Sequence, residues 1–232
     1  MRLIKTGGRR SVLIDGLIVV WPICLGYAPI GLAFGVLAQK AGLDALHIGI
    51  MSLLVFAGSA QFIAVSMLSG GAGAASIVLA TFLVNLRHLL MSSSLAVRMP
   101  RMRPGKAAFF AYGVTDESFA LNTLHFQKGG WDADRALVVN QTANFVWLVM
   151  TVLGGYIGPL IPAGAAGIDY ALIAMFICLL VFQLKNRLVV VTAGIAGASA
   201  VLLALLIPGN AYIVLASVFA ATAGVMLKRF VQ

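Results

Sequence analysis

Three ions stand inside stretches that are otherwise apolar enough to cross a membrane. They are Arg87 in AASIVLATFLVNLRHLLMSSSLA and the adjacent Asp116 and Glu117 in AAFFAYGVTDESFALNTLHF. An ion near the bilayer midplane costs about 2.5–3.5 kcal/mol on insertion scales unless it is paired or hydrated. Arg87 lies roughly 11 residues, or about 16 Å of helix, from the basic loop that follows, too deep to snorkel out easily. It needs a carboxylate, and Asp116 or Glu117 supplies one. One arginine neutralises one carboxylate. The other is left beside a like charge in an apolar setting, which makes it a candidate proton carrier. Asn85, His88 and Ser92 share one helix face, at offsets of three and seven, and an imidazole titrates near neutral pH. Gln61, in FAGSAQF, brings two donors and an acceptor among small residues that let another backbone approach. Such residues could bind a small polar solute or carry a coupling proton.

Each has a plainer reading. Arg87 and a carboxylate tie two helices together, the remaining carboxylate points into a water-filled vestibule, and Gln61 makes one interhelical hydrogen bond. Asn140 and Asn144, four apart with Trp147 continuing their face, read more readily as interhelical hydrogen bonding than as a site. The residues alone leave these alternatives open.

The elements that must hold these groups are membrane helices. The chain has 232 residues, 61% of them apolar and only 10% charged, with mean hydropathy +1.03. Soluble domains carry about 25% charged residues. No hydrophilic run is long enough for a soluble catalytic or nucleic-acid-binding domain. The net charge of +9 comes in short clusters between apolar segments, such as Arg9–Arg10, Arg98 to Lys106, Lys185–Arg187 and Lys228–Arg229. That is the positive-inside pattern, with attraction to anionic lipid, and not a nucleic-acid surface. The two cysteines, Cys24 and Cys178, form no C-x-x-C pair, so no metal or redox site is expected. No P-loop is present, which excludes ATP as a direct energy source within this chain. No cofactor is implied.

At about 20 apolar residues per span, eight candidate segments appear, near 12–38, 47–68, 73–97, 107–126, 136–156, 168–184, 187–207 and 211–228. The expected fold is an all-α polytopic membrane protein of seven or eight segments, forming one transporter domain over residues 1–232. The N-terminus imitates a signal peptide. Its apolar run is too long for one, so it reads as a retained first segment. If every segment spans, the basic loop after the third falls on the wrong side. Broken or re-entrant first and fourth segments remove the conflict. The first contains Pro22, Gly26, Pro29, Gly31 and Gly35, and the fourth contains Gly113 and the acidic pair. Broken helices are tolerated where they line a cavity, and their free ends bind substrate. The last two segments hold almost no polar residues and read as scaffold or a subunit interface.

Four motifs in order resemble the AzlC-type branched-chain amino acid permease family, which includes the larger subunit of bacterial valine exporters. They are the Pro22 to Gly35 run of prolines and glycines, FAGSAQF at 56–62, NLRHLLMSSS at 85–94 and TDESF at 115–119. The likeness covers about half the chain; beyond Phe119 it is one of general character only. It implies a secondary exporter of branched-chain and similar small neutral amino acids in a bacterial inner membrane, with a small hydrophobic AzlD-type partner subunit. On that basis the expected substrate or coupling residues are Gln61, Asn85, Arg87, His88, Asp116 and Glu117. Broken-helix backbone near Gly26, Pro29 and Gly31, with Arg87, would take the substrate carboxylate. Asp116 or Glu117 would face its ammonium group or carry a proton. Phe34, Phe56, Phe62 and Phe119 would line an apolar pocket. A non-transporting scaffold subunit and a membrane-embedded enzyme using Asp116, Glu117 and His88 are the rival readings.

Overall fold

The computed structural model describes residues 9–99, 102–161, 177, 180, 181, 184, 186–206 and 211–231. Arg2, Lys5, Pro100, Arg101, Pro162, Cys178, Lys185, Pro208, Gly209, most of the candidate segment 168–184 and the side chains of Lys228 and Arg229 lie outside the described residues. The protein is an all-α polytopic membrane protein, with no strand among the described residues. Its helices are α1 (Arg9–Lys40), α2 (Ala45–Val55), α3 (Gly58–Ser69), α4 (Ala74–Ala96), α5 (Pro104–Tyr112), α6 (Asp116–Lys128), α7 (Ala133–Ile157), α8 (Arg187–Leu206) and α9 (Ala211–Val231). Among the described residues, four helical stretches are long and apolar enough to cross a membrane: Ser11–Lys40, Ala74–Ala96, Ala133–Leu160 and Arg187–Leu206.

The chain divides into two compact units, one of residues 1–61 and 83–163 and the other of 62–82 and 164–232. In the second, α8 and α9 pack together, and Gly224 lets α9 approach Thr192 so closely that a Cβ would sit 2.9 Å from its methyl carbon. Thr192, Ser199 and Thr222 only bond backbone carbonyls of their own helices, in keeping with a scaffold.

The first unit is organised on α1 and α7, which run parallel. Gly16 lies against Val138, Gly31 against Trp147 and Met150, Gly35 against Thr151 and Gly154, and Gly158 against Gln39. Ion pairing closes one end, where Arg135 Nε meets Asp15 at 2.8 Å. At the other, Lys40 donates to the Ile161 carbonyl at 2.7 Å. A Cβ on Gly35 would lie 2.0 Å from the Thr151 carbonyl oxygen. Only glycine permits that approach.

This corrects the expectation for the first segment. It is not broken: α1 runs for 32 residues straight through Pro22 and Pro29. A proline removes one backbone bond, and membrane helices tolerate that loss when neighbouring elements support them. Here α7 braces α1 along its length, so the glycines serve close packing.

The breaks lie elsewhere. The second segment, read as continuous, ends at Val55 and restarts at Gly58, with Phe56 in the left-handed region (φ 32°, ψ 55°). The fourth is broken as expected, between Tyr112 and Asp116. Its α5 enters from the end where α1 and α7 begin, since Lys106 pairs with Asp134 there. Its turn reaches Tyr27 (2.8 Å from Thr115 Oγ1), and α6 returns, Asn122 bonding Asn140 at 3.0 Å and Trp131 at 3.0 Å. This is a re-entrant hairpin. Helices of 9 and 11 residues, α5 and α2, rise about 14 and 16 Å, half of a hydrocarbon core about 30 Å thick. Leu95, near the end of α4, packs with Phe110, Val114 and Ala136, and Met99 and Met102 of the following loop join that cluster. Arg98, Arg103 and Lys106 therefore follow α4 on the side where Arg9 and Arg10 begin α1. Between the end of α1 and this basic loop the chain makes a net single crossing, which α4 supplies. The break in α2–α3, not one in α1, satisfies the positive-inside pattern.

Candidate functional site: two helix breaks joined by α4

The α2–α3 break is fastened to α7 by neutral groups. Gln61 is fully buried. Its amide accepts from Trp147 Nε1 at 2.9 Å and donates to Ser52 Oγ at 3.1 Å, and Ser52 in turn meets Thr151 Oγ1 at 2.8 Å. Gly58 sits under the Trp147 ring, where a Cβ would lie 3.2 Å from it. Ala57, just before α3, has no side chain able to cap it, so the first N–H groups of α3 keep their partial positive charge.

The α5–α6 break is organised by its own side chains. Thr115 caps α6 and forms a reciprocal pair with Ser118 (2.9 and 3.3 Å). Asp116 and Glu117 occupy the first turn, where the helix dipole favours carboxylates. Gly113 allows contact with Asn140 and Gln141 of α7. Asn140 donates to the Phe110 carbonyl at 3.2 Å.

Helix α4 joins the two breaks. Arg87 Nη1 pairs with Asp116 Oδ2 at 2.7 Å, and Nη2 donates to Ser59 Oγ at 2.5 Å. One guanidinium thus touches the start of α3 and the start of α6. Its Nε is buried without a partner. His88 Nδ1 lies 2.8 Å from the Val114 carbonyl inside the second break. A carbonyl only accepts, so Nδ1 carries the proton and Nε2 holds the lone pair of the neutral ring. That Nε2 is buried and has no partner among the described residues, and the same holds for Asn85 Oδ1. The breaks also touch directly, Phe56 against Tyr112 with ring centres 6.1 Å apart, and the Tyr112 hydroxyl donating to the Leu53 carbonyl.

The structure therefore brings Arg87, His88 and Asp116 together with Glu117, and sets Gln61 at the neighbouring break. The left-over carboxylate is Glu117, and it has a partner: the buried Tyr27 hydroxyl lies 2.7 Å from Glu117 Oε2. Tyr27, Ser52 and Ser59 carry no sequence signal, being common residues in apolar runs. Gly26, Pro29 and Gly31 offer no broken-helix ends, since α1 is continuous there; Gly31 faces α7, and nothing lies within 4 Å of a Cβ on Gly26. Phe34 stacks on Trp147 with ring centres 6.0 Å apart, Phe56 meets Tyr112, and Phe119 packs beside Leu95 and Phe110. Among the described residues no cluster of His, Cys, Asp and Glu could hold a metal ion.

Residues 22–161 match the family described as AzlC protein. The chain is 31% identical to the inner membrane protein YgaZ of Escherichia coli over 77% of its own length and 76% of that protein. It is 30% identical to an uncharacterized membrane protein of Helicobacter pylori strain J99, over 71% and 72%. It is 29% identical to the branched-chain amino acid transport protein AzlC of Bacillus subtilis, over 70% of this chain and 64% of that one. No solved structure matches it significantly.

Proposed function

Because the chain belongs to the AzlC protein family, we propose that it is a secondary transporter of branched-chain and similar small neutral amino acids. It exports them across a bacterial inner membrane, coupled to protons, together with a small hydrophobic AzlD-type subunit. The observation that carries this reading is the meeting of two helix breaks at Arg87, at half-membrane depth. A zwitterion needs a positive and a negative site a few ångströms apart in a low-dielectric place. The uncapped start of α3 with Arg87 attracts the carboxylate. Asp116 and Glu117 attract the ammonium group. Gln61 positions the first break, its amide being engaged at both ends, while Asn85 Oδ1 is an acceptor without a partner. His88, with its tautomer set by Val114, presents Nε2 for the coupling proton. The likeness to the B. subtilis transport protein supports the substrate class. The clustering of basic residues at one end of α1, α5 and α7 supports that end as cytoplasmic.

Counterflow of labelled leucine, isoleucine and valine in proteoliposomes, with and without a co-expressed small partner and at two pH values, tests this. Flux of chemically unchanged amino acid that responds to pH is the expected result. Chemical turnover of the substrate, or function retained when Arg87 and Asp116 are both made apolar, would reject it in favour of an enzyme or a scaffold subunit.

A further inference from the structure

The face of α7 turned toward the two breaks carries four polar groups, Asn140, Asn144, Trp147 and Thr151. Their spacing of three and four residues places them on one side of a helix. Three are engaged. Asn140 holds α5 and α6 through the Phe110 carbonyl and Asn122. Trp147 holds Gln61, and Thr151 holds Ser52. Asn144 stands between them, four residues from the anchor of one break and three from the anchor of the other. Asn144 is only 6% exposed, and its Nδ2 is buried with no hydrogen-bond partner among the described residues.

A carboxamide nitrogen carries two N–H donors and accepts nothing, so an acceptor is what it lacks. Buried donors are almost always paired, and one left alone is costly. Trp147, one turn further along α7, packs against Gly58 at the start of α3. Asn144 thus lies one turn along α7 from the residue whose ring touches the start of α3. The geometry points to Asn144 as a further substrate-binding residue, donating to the carboxylate of the amino acid held at the start of α3. This rests on the transport reading above and adds a neutral donor to the place where the substrate's carboxylate is held.

The test is labelled-leucine counterflow by wild type, Asn144→Ala and Asn144→Asp, with unlabelled leucine and leucinamide, which has no carboxylate, as competitors. Asn144→Ala is expected to raise half-saturation by leucine roughly tenfold, the equivalent of one hydrogen bond to a charged group. Competition by leucinamide, whose neutral carbonyl is a weaker acceptor than a carboxylate, should weaken less. Asn144→Asp sets a like charge against the carboxylate and should shift preference toward leucinamide. Thermal unfolding of Asn144→Ala should occur no earlier than in wild type, because the variant loses an unpaired donor, so this variant decides the matter even if Asn144→Asp fails to fold. Unchanged half-saturation, equal shifts for both competitors, or a lower maximal rate alone would overturn the assignment while wild-type flux stands. Absence of wild-type flux would overturn the transport reading and this assignment with it.

Discussion

The two helix breaks solve the same problem by opposite means. Both expose backbone groups at half-membrane depth, where each unsatisfied group costs several kcal/mol. The α2–α3 break turns through Phe56 in the left-handed region, unusual for an aromatic residue. It is held by neutral hydrogen bonds from Gln61, Ser52, Trp147 and Thr151 that leave the start of α3 uncapped. The α5–α6 break turns through Gly113, is capped by Thr115 and Ser118, and carries two carboxylates answered by Arg87 and Tyr27. Neutral, fully paired bonds are best left intact. A phenol and an ion pair are contacts that a zwitterion's own charges can replace. On this comparison the first break is a fixed anchor and the second a responsive one.

Arg87→Leu should break the comparison most completely, since it removes the contact shared by both breaks. Losing an ion pair and a hydrogen bond, about 3 kcal/mol, corresponds to a fall in flux on the order of 100-fold. Stability in detergent should fall less, because Asp116 is half exposed. Gln61→Leu should do the reverse. It strands the Trp147 N–H and unsettles Ser52 in a buried place, costing about 2–4 kcal/mol of stability, read as earlier thermal unfolding of the purified protein. Equal loss of stability in the two variants would erase the distinction between anchor and responsive break. Tyr27→Phe should be milder, about 1–2 kcal/mol. It removes the hydroxyl that touches Glu117 and Thr115, so half-saturation by leucine should rise, whereas a purely structural tyrosine would change thermal unfolding alone.

The smallest effect lies outside both breaks. Asp44 caps α2 through the His47 N–H at 2.8 Å, and this hydrogen bond holds its carboxyl below the usual aspartate range. A carboxyl lowered on folding stabilises above its unfolded pKa. The cap is therefore present at neutral pH and lost as pH falls through the lowered value. Asp44→Ala should remove that acid-side dependence from thermal unfolding profiles and leave flux unchanged at pH 7.

Much of the fold was legible in the residues. The third and fifth apolar segments, near 73–97 and 136–156, became α4 at Ala74–Ala96 and α7 at Ala133–Ile157. The re-entrant fourth segment followed from one basic loop that could not sit outside. The first segment misled because prolines and glycines read as breakers whether or not a neighbour braces them. The second misled for the opposite reason. Phe56 and Ala57 are ordinary helix residues locally, and only contacts with Tyr112 and α7 hold them out of a helix. Gln61, Arg87 and Glu117 stood out as polar groups in apolar runs, but nothing in their spacing named Trp147, Ser59 or Tyr27 as their partners.

By itself the sequence determined a membrane bundle and the presence of ions that had to be answered within it, because the cost of putting polar groups in hydrocarbon is local and can be read residue by residue. Where the helices break, which glycines are packing surfaces, and which of the polar groups on α7 is left unpaired were decided only by tertiary structure. Those features depend on which backbone and side-chain groups distant parts of the chain bring within hydrogen-bonding reach.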